Sequence, residues 1–287
     1  DVFWDVYLPE RGLWSQLRPP AAALHRFMLR QVDYFITHTD SSKAFIGELG
    51  IRPECIRVVR EACEESVFLR GDRQTARKAC GYKPGDIVLF HHGIMNPSKA
   101  LDRILRWLPP LFEENPALRF VIAADGATRQ TLESLSDELG IADRVSFLGW
   151  LPRVGDLAQL LNACDISLVM RSGRFSDHFH ITANLFHSLT CGCCTLAANL
   201  QGIRELVRED ENGLLFEPND EEAFQLQVKR LTDDPALRQR LGKAAHHTAQ
   251  TKLNPEQVKK DWITVIQDFM EKSLPEKKGA TQKTKPI

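Results

Sequence analysis

The sequence lacks long apolar runs and an excess of charge of one sign. No run approaches the roughly 18 apolar residues that a membrane-spanning helix needs, so we expect no transmembrane segment. Lys and Arg number 37 and Asp and Glu 38, for a formal net charge of -1. A nearly neutral chain has no general attraction for phosphate backbones or anionic lipid, so nucleic acid is not an expected partner.

A disulfide framework and a secretory signal are also missing. The seven cysteines are odd in number and are not spaced like those of a small secreted domain, which favours reduced intracellular thiols. No charged n-region precedes an apolar h-region. We therefore expect a cytoplasmic protein, with a peripheral position at the inner face of the membrane as an alternative. The chain starts at Asp1 without a Met, so we expect a piece of something longer.

From about Asp86 onward, short apolar runs alternate with helical patterns. Strands that are buried on both faces are typical of parallel sheets covered by helices. The pattern predicts an α/β fold, a Rossmann-like doubly wound parallel sheet, over residues 76–252. Pro109 and Pro110 should interrupt one helix, and Gly140 should end another. The predicted strands are "DIVLFHHG", "LRFVIAAD", "RVSFLGW", "ISLVM", "CCTLAAN" and "NGLLFEP".

The two ends of the chain follow other patterns. Residues 1–75 contain two predicted strands, "YFITH" and "ECIRVV", which are too few for a doubly wound domain. We interpret this segment as the C-terminal remnant of a preceding α/β domain. Residues 253–274 form an amphipathic helix with an apolar face to bury. Residues 275–287 have no apolar pattern and should be a disordered tail.

The stretch "CGCC" at 191–194 and nearby histidines suggest a metal site. If residues 180–191 were helical, one stripe of the helix would carry His180, Asn184, His187 and Cys191. The two histidines would then lie two turns apart, about 10 Å along the axis, too far to share one ion easily. We therefore predict no metal, a polar helix face lining a cleft, and buried reduced thiols in a core strand.

Ordered landmarks over most of the chain resemble the GT-B glycosyltransferases, particularly the large family 4 group. No single landmark is specific, but their order is. The matching stretches are "IRPECIRVVREACEESVF", "HHGIMNPSKALDRIL", "FVIAADGATRQTLESL", "IADRVSFLGWL", "LLNACDISLVMRS" and "CGCCTLAANLQGIRELVREDENGLLFEPNDEEA".

The resemblance implies a C-terminal half that binds a nucleotide-sugar donor beyond the carboxyl ends of the strands. Lys99 would contact phosphate as a point charge, and backbone near "SFLGWLP" would contact the base. No cofactor is implied apart from the nucleotide-sugar co-substrate, whose nucleotide is open. The implied binding residues are Gly93, Lys99, Gly126, Phe147, Leu148, Arg171 and His187.

Two departures from the family pattern affect the implied site. The family's Arg after the glycine is replaced by Ile94; Arg171 or Arg174 could supply that charge instead. Two glutamates eight positions apart normally precede the "cG" of the family. Counting back from Gly192 places Phe179 and His187 there, neither of them acidic.

A shift of one or two positions would offer His180 or Asp177 in place of Phe179, and we take these two as the catalytic candidates. A double displacement needs a carboxylate nucleophile, and none stands at the expected place. Attack on the same face as departure needs mainly leaving-group stabilisation, and is favoured here.

The resemblance thus predicts a retaining, metal-independent glycosyltransferase acting on an unknown glycan, lipid or small-molecule acceptor. A catalytically degenerate domain that serves as a binding or partner subunit is the alternative. Epimerisation or phosphorolysis of a sugar phosphate has no positive support in the sequence. A separate chain or a missing segment would supply the rest of the N-terminal domain. The helix predicted for residues 253–274 resembles the helix that crosses back to that domain in the family.

Overall fold

The computed structural model describes residues 18–63 and 66–273. We call residues 18–63 the front unit and residues 66–252 the body. The front unit consists of α1 (Arg18–Leu29), β1 (Phe35–Thr37), α2 (Asp40–Glu48) and β2 (Ile56–Val58). The tail predicted for residues 275–287 lies outside the described residues, and so does the first part of the predicted remnant, residues 1–17.

The body alternates strands with helices, as the sequence predicts. Its strands are β3 (Ile87–Ile94), β4 (Leu118–Asp125), β5 (Val145–Phe147), β6 (Ile166–Val169), β7 (Thr195–Ala198) and β8 (Leu214–Phe216). Its helices are α3 (Arg73–Ala79), α4 (Leu101–Trp107), α5 (Pro109–Glu114), α6 (Arg129–Glu138), α7 (Val154–Ala163), α8 (Ala183–Thr190), α9 (Gln201–Arg204), α10 (Glu221–Asp233) and α11 (Pro235–Lys252). A last helix, α12 (Pro255–Ser273), follows the body.

All six strands of the body join one parallel sheet in the order β5-β4-β3-β6-β7-β8. Every residue of β6 and β7 is buried, which means that both faces of the sheet are covered. The predicted parallel α/β fold is therefore confirmed. The strand order reverses between β3 and β6, and loops that leave neighbouring strands in opposite directions open a crevice there.

Proline and glycine set two helix ends in the body as predicted. α4 ends at Trp107 and α5 begins at Pro109, because a proline ring inside a helix removes a backbone hydrogen bond and clashes with the preceding turn. After α6, Gly140 has a φ of 68°, a left-handed conformation that glycine adopts without a Cβ clash.

The front unit has a small core of its own. β1 and β2 pair in parallel, and the core beneath them comprises Leu29, Ile46, Ile51, Cys55 and Ile56. Several large apolar side chains of this unit are exposed, among them Leu24 at 60% and Phe27 at 64%. A two-stranded sheet is marginally stable by itself, and this unit also leaves part of its apolar surface exposed.

α12 runs back against the front unit. The Arg57 guanidinium lies 3.2 Å from the Asp268 carboxylate, and the Tyr34 and Phe269 rings meet edge to face at 6.2 Å. Val265 of α12 is buried. The sequence resemblance implied such a returning helix, and these contacts show how it is held.

The "CGCC" stretch forms the turn from α8 into β7. Cys191, Cys193 and Cys194 are free thiols, all buried. Gly192 makes the turn with a φ of 69°. α8 begins at Ala183, so His180 precedes the helix and the hypothetical histidine–cysteine stripe does not form.

Candidate functional site

A cavity of about 700 Å³ opens beyond the carboxyl ends of the body strands. β3 contributes His92, Gly93 and Ile94 from its end, and β4 contributes Ala123. The segment after β6 supplies Arg171, and the first turn of α8 closes one side. This is the position at which open parallel sheets bind ligands, at the point where the strand order reverses.

Two glycines shape the backbone at this edge. Gly93 lines the cavity with a φ of 130°, and a Cβ there would meet no atom within 4 Å, so its backbone is open to a ligand. Gly126 has a φ of 148°, and a Cβ would lie 2.3 Å from the Met95 carbonyl oxygen. Gly126 therefore packs two loops together and does not line the cavity.

Lys99 brings a buried cation to the cavity. Lys99 is the last residue of the short turn Pro97–Lys99, and it is only 8% exposed. Among the described residues its ammonium has no hydrogen bond or ion pair. Burial, and next the nearby Arg171, lower the pKa of Lys99 to about 8. Lysines are almost never buried unless paired, so this ammonium is placed for an anion from outside the chain.

The residue after Lys99 adds strain to that turn. Ala100 has a φ of 44°, in the left-handed region that costs a residue with a Cβ roughly 1–2 kcal/mol. Asn96 begins the turn by accepting the Ser98 N–H at 3.1 Å. The chain thus tolerates an unfavourable backbone conformation where it inserts Lys99.

Arg171 is a second cation at the cavity, and Asp177 holds it. Arg171 Nε donates to Asp177 Oδ1 at 2.8 Å, and its terminal nitrogen also donates there. The other Asp177 oxygen accepts from Ser172 Oγ at 2.6 Å and the Arg174 N–H at 3.2 Å. Asp177 is 1% exposed. Its carboxylate is occupied in fixing a cation and does not line the cavity.

His187 also lines the cavity, within a stack of rings. It packs on Phe68 with ring centroids 4.1 Å apart and on His92 at 5.3 Å. His92 Nε2 lies 3.1 Å from His187 Nδ1. Burial lowers the pKa of His187 to about 4, so this ring is neutral at physiological pH.

The first turn of α8 presents donors to the cavity. Thr182, Ala183 and Asn184 line it, and the first backbone N–H groups of a helix have no partner within the helix. Thr182 donates its hydroxyl to Asn184 Oδ1 and does not cap the helix. Asn184 Nδ2 is buried with no partner among the described residues.

Phe179, where the family pattern has its first glutamate, packs against the front unit. Its ring stacks on Phe45 of α2 at 4.7 Å and meets Phe175 at 5.2 Å. Its carbonyl accepts from the hydroxyls of Thr39 and Ser42. His180, which with Asp177 was a catalytic candidate, is exposed and lies outside the cavity lining.

The predicted base-binding pair also lies outside the cavity lining. Leu148 is 43% exposed and Phe147 packs on the core of the body. The residues just after them, Trp150 and Arg153, do line it, with Trp150 70% exposed. The sequence therefore located the loop but not the side chains that face the space.

The described part of the cavity lining thus contains hydrogen-bond donors and cations but no acid. Of its described lining residues, Lys99, Arg153 and Arg171 are cationic and none is a carboxylate. Gly93, Lys99, Arg171 and His187 come together there, whereas Gly126, Phe147, Leu148, Asp177 and His180 do not line it. Asn184 lines the cavity, as the prediction of a polar helix face along a cleft implied. Sequence reasoning missed the contact between His92 and His187, for which "FHHG" at the end of a strand was the available signal.

Glu205 was also missed, and it joins the two units. Its carboxylate accepts from the backbone N–H of Asp40 at 3.0 Å and of Ser41 at 2.9 Å, where α2 begins, and from Arg60 at 2.9 Å. Burial raises the pKa of Glu205, but these hydrogen bonds outweigh it and the net pKa is lowered. A helix N-terminus stabilises an anion in this way.

Residues 72–248 match the family model of Glycosyl transferases group 1, which is most of the body. The chain belongs to this family. Similar curated proteins include a D-inositol 3-phosphate glycosyltransferase of Thermomonospora curvata, 32% identical over 76% of this chain and 53% of that protein. The putative glycosyltransferase EpsD of Bacillus subtilis is 27% identical over 62% of this chain and 45% of EpsD. The chain thus spans about half the length of these relatives.

Solved structures of the same fold support the architecture. Anabaena Alr3699/HepE, in complex with UDP, superposes with a TM-score of 0.76 and 18% identity over 92% of this chain and 70% of that one. Sucrose-phosphate synthase of Thermosynechococcus elongatus gives 0.77 and 18% over 94% and 65%. As for membranes, no helix in residues 18–63 and 66–273 has the length and apolar character to span one.

Proposed function

We propose that this chain is the donor-binding half of a glycosyltransferase that takes its sugar from a nucleotide-activated donor. The observation that carries the proposal is Lys99, a buried ammonium that has no ion pair within residues 18–63 and 66–273, in a cavity at the carboxyl edge of a parallel sheet. A nucleoside diphosphate would supply the missing anion. Arg171 and the first turn of α8 would add a second charge and backbone donors.

The chemistry we propose is transfer with retention and without a metal ion. Lys99, Arg171 and the α8 amides would neutralise the leaving diphosphate, a role that metal ions otherwise fill. No described residue that lines the cavity is a carboxylate, so the described lining offers no nucleophile for a double displacement. Departure and attack on one face need only positioning and charge stabilisation. Gly93 would allow a close approach of the diphosphate to the backbone.

The relatives suggest which compounds to test first. Anabaena Alr3699/HepE binds UDP in its structure, so UDP is the first nucleotide to try. The curated relatives include D-inositol 3-phosphate glycosyltransferases, so an inositol phosphate is the first acceptor. The acceptor side would be formed with chain beyond the described front unit.

The test is thermal unfolding of the full chain with UDP, GDP and ADP and with their glucose conjugates. A ligand that binds the native state must raise the apparent stability. We expect one nucleotide to raise the melting temperature, Lys99→Ala to remove most of that rise, and Lys78→Ala, a change at an exposed lysine of α3, to keep it. No rise with any of the six compounds in the unaltered chain contradicts the proposal.

A partner subunit without activity is the second candidate. It is favoured by Phe179, which is 8% exposed and packed between the units where the family pattern has a glutamate. The same titration separates the two. Stabilisation by a nucleotide sugar, with neither transfer to any acceptor nor hydrolysis of the donor, supports the partner subunit; release of free nucleoside diphosphate supports the transferase.

A further inference from the structure

The hydrogen bond between His92 and His187 has a direction that the surroundings decide. His92 is 4% exposed, its Nε2 lies 3.1 Å from His187 Nδ1, and its Nδ1 has no partner among the described residues. One of the two facing nitrogens must carry the proton. If it were His187 Nδ1, His92 would place its own proton on Nδ1 and bury an N–H without an acceptor.

The neighbouring ring, His91, shows which arrangement this strand tolerates. His91 Nδ1 lies 3.0 Å from the Leu168 carbonyl oxygen, which can only accept, so Nδ1 carries the proton. His91 Nε2 is then an unprotonated nitrogen, buried and without a partner. The protein thus leaves a bare ring nitrogen unpaired here. Buried N–H groups without a partner are rarer than unpaired acceptors.

If His92 likewise leaves its unpaired Nδ1 without a proton, the tautomers of both His92 and His187 are determined. His92 then carries its proton on Nε2 and donates to His187 Nδ1. A neutral imidazole has only one proton, so His187 must carry its own on Nε2. Phe68 on one side and His92 on the other hold the plane of His187, which lines the cavity.

We propose that His92 is a positioning residue that makes His187 a hydrogen-bond donor toward the cavity, so that this position selects an acceptor oxygen of the bound molecule. That the bound molecule is a nucleotide rests on the function proposed above. A carboxylate at position 187 would do the opposite, since it accepts hydrogen bonds and repels anions. A neutral donor suits a cavity whose lining, as far as the structure describes it, already contains three cations and no acid.

The direct test is the protonation state of the two rings in solution, and it needs no ligand. Long-range ¹⁵N–¹H spectra of the full chain with ¹⁵N-labelled histidine report which nitrogen holds the proton. We expect the proton on Nε2 in both His92 and His187, with neither ring titrating between about pH 5 and 8, because burial lowers both pKa values. A proton on Nδ1 of His187 overturns the proposal.

Two substitutions separate positioning from simple packing. His92→Gln keeps a donor near the place of Nε2, and His92→Leu removes it. We expect His187 to keep its Nε2 proton in the Gln variant and to become a mixture of both tautomers in the Leu variant. Unchanged His187 signals in His92→Leu contradict the positioning role. Should the Leu variant fail to fold, the unaltered chain and the Gln variant still decide the question.

The binding consequence is measured by calorimetry with UDP, or with GDP or ADP if UDP gives no heat. We expect His92→Leu and His187→Glu to weaken binding by about threefold to tenfold or more, as the loss of one hydrogen bond would, and His92→Gln to stay within about twofold. Equal affinity in all four proteins overturns the selection of an acceptor. If none of the three nucleotides binds the unaltered chain, the proposed function fails, while the spectra still settle the direction of the hydrogen bond.

Discussion

The body and the front unit both consist of helices and parallel strands, but they differ in how completely they bury their apolar side chains. The body closes six strands over a continuous core, with Phe90 and Phe120 fully buried. The front unit has two strands and a five-residue core, and it exposes large apolar side chains such as Phe27. Two paired strands are marginally stable by themselves, whereas three or more strands with a buried apolar face can be stable independently. The body therefore carries the cavity, and the front unit depends on its contacts with the body and α12.

The largest expected effect compares one substitution in the two cores. Ile104 and Ile56 are both 0% exposed. We expect Ile104→Ala to lower the free energy of unfolding of the body by about 3–5 kcal/mol, because its dense surroundings cannot collapse. Ile56→Ala should cost about 2 kcal/mol and affect mainly the front unit. Urea unfolding with hydrogen exchange of the front-unit amides measures both; equal loss in the main transition would show that the units unfold as one.

A second prediction concerns the contact between the units. Glu205→Gln weakens the bonds to Asp40, Ser41 and Arg60 and should cost about 1–3 kcal/mol. Since the pKa of Glu205 is lowered from its ordinary 4.5 in the fold, its stabilisation is present above about pH 4.5 and is lost as the pH falls further. Acid unfolding curves of Glu205→Gln and of Glu222→Gln, an exposed control, should differ; identical curves argue against this contact.

A third prediction concerns Lys99 of the body, whose charge changes at alkaline pH. Lys99 has a pKa of about 8 in the ligand-free chain, so its charge is present below that pH and is lost above it. We expect the affinity for UDP to fall by about tenfold between pH 7 and 9, which is about 1.4 kcal/mol. Lys99→Arg, which keeps its charge, should be flat over this range. A pH-independent affinity in the unaltered chain would mean that Lys99 is not the phosphate contact.

The smallest expected effect is an increase in the affinity for UDP. Ile94 lines the cavity and is 55% exposed, so Ile94→Arg should cost the core little. The added charge should tighten UDP binding by about threefold to tenfold at low salt, and the gain should shrink as salt screens it. Ile94→Gln serves as the neutral control. If Arg and Gln variants bind equally at low salt, Arg171 already provides the charge that the family pattern places at position 94.

The fold could be predicted from the sequence because the strands of the body are short apolar runs that alternate with helical patterns. The cavity could be predicted in part. Lys99 and His187 follow strand and helix landmarks whose register the sequence shows, and both reach the cavity. Arg171 and Asp177 lie in a loop after β6, whose path depends on packing and not on period. The ion pair between Arg171 and Asp177 could therefore not be predicted from the sequence.

Phe179 shows a different limit. Its counterpart in the stack, Phe45, is distant along the chain, and no local pattern indicates that contact. The resemblance gave position 179 a chemical role, and the missing carboxylate was the visible signal. Only the three-dimensional structure shows that the aromatic ring contacts α2 instead.

The contacts of Phe179 also have a mechanical consequence. The short turn Phe175–Phe179 is fastened to α2 by its rings and by the Phe179 carbonyl. The same turn contains Asp177, which grips Arg171 at the cavity. A rotation of the front unit relative to the body must either break the contacts between the turn and α2 or move the turn with α2. The five-residue turn therefore couples the orientation of the front unit relative to the body with the position of the Arg171 charge beside the cavity.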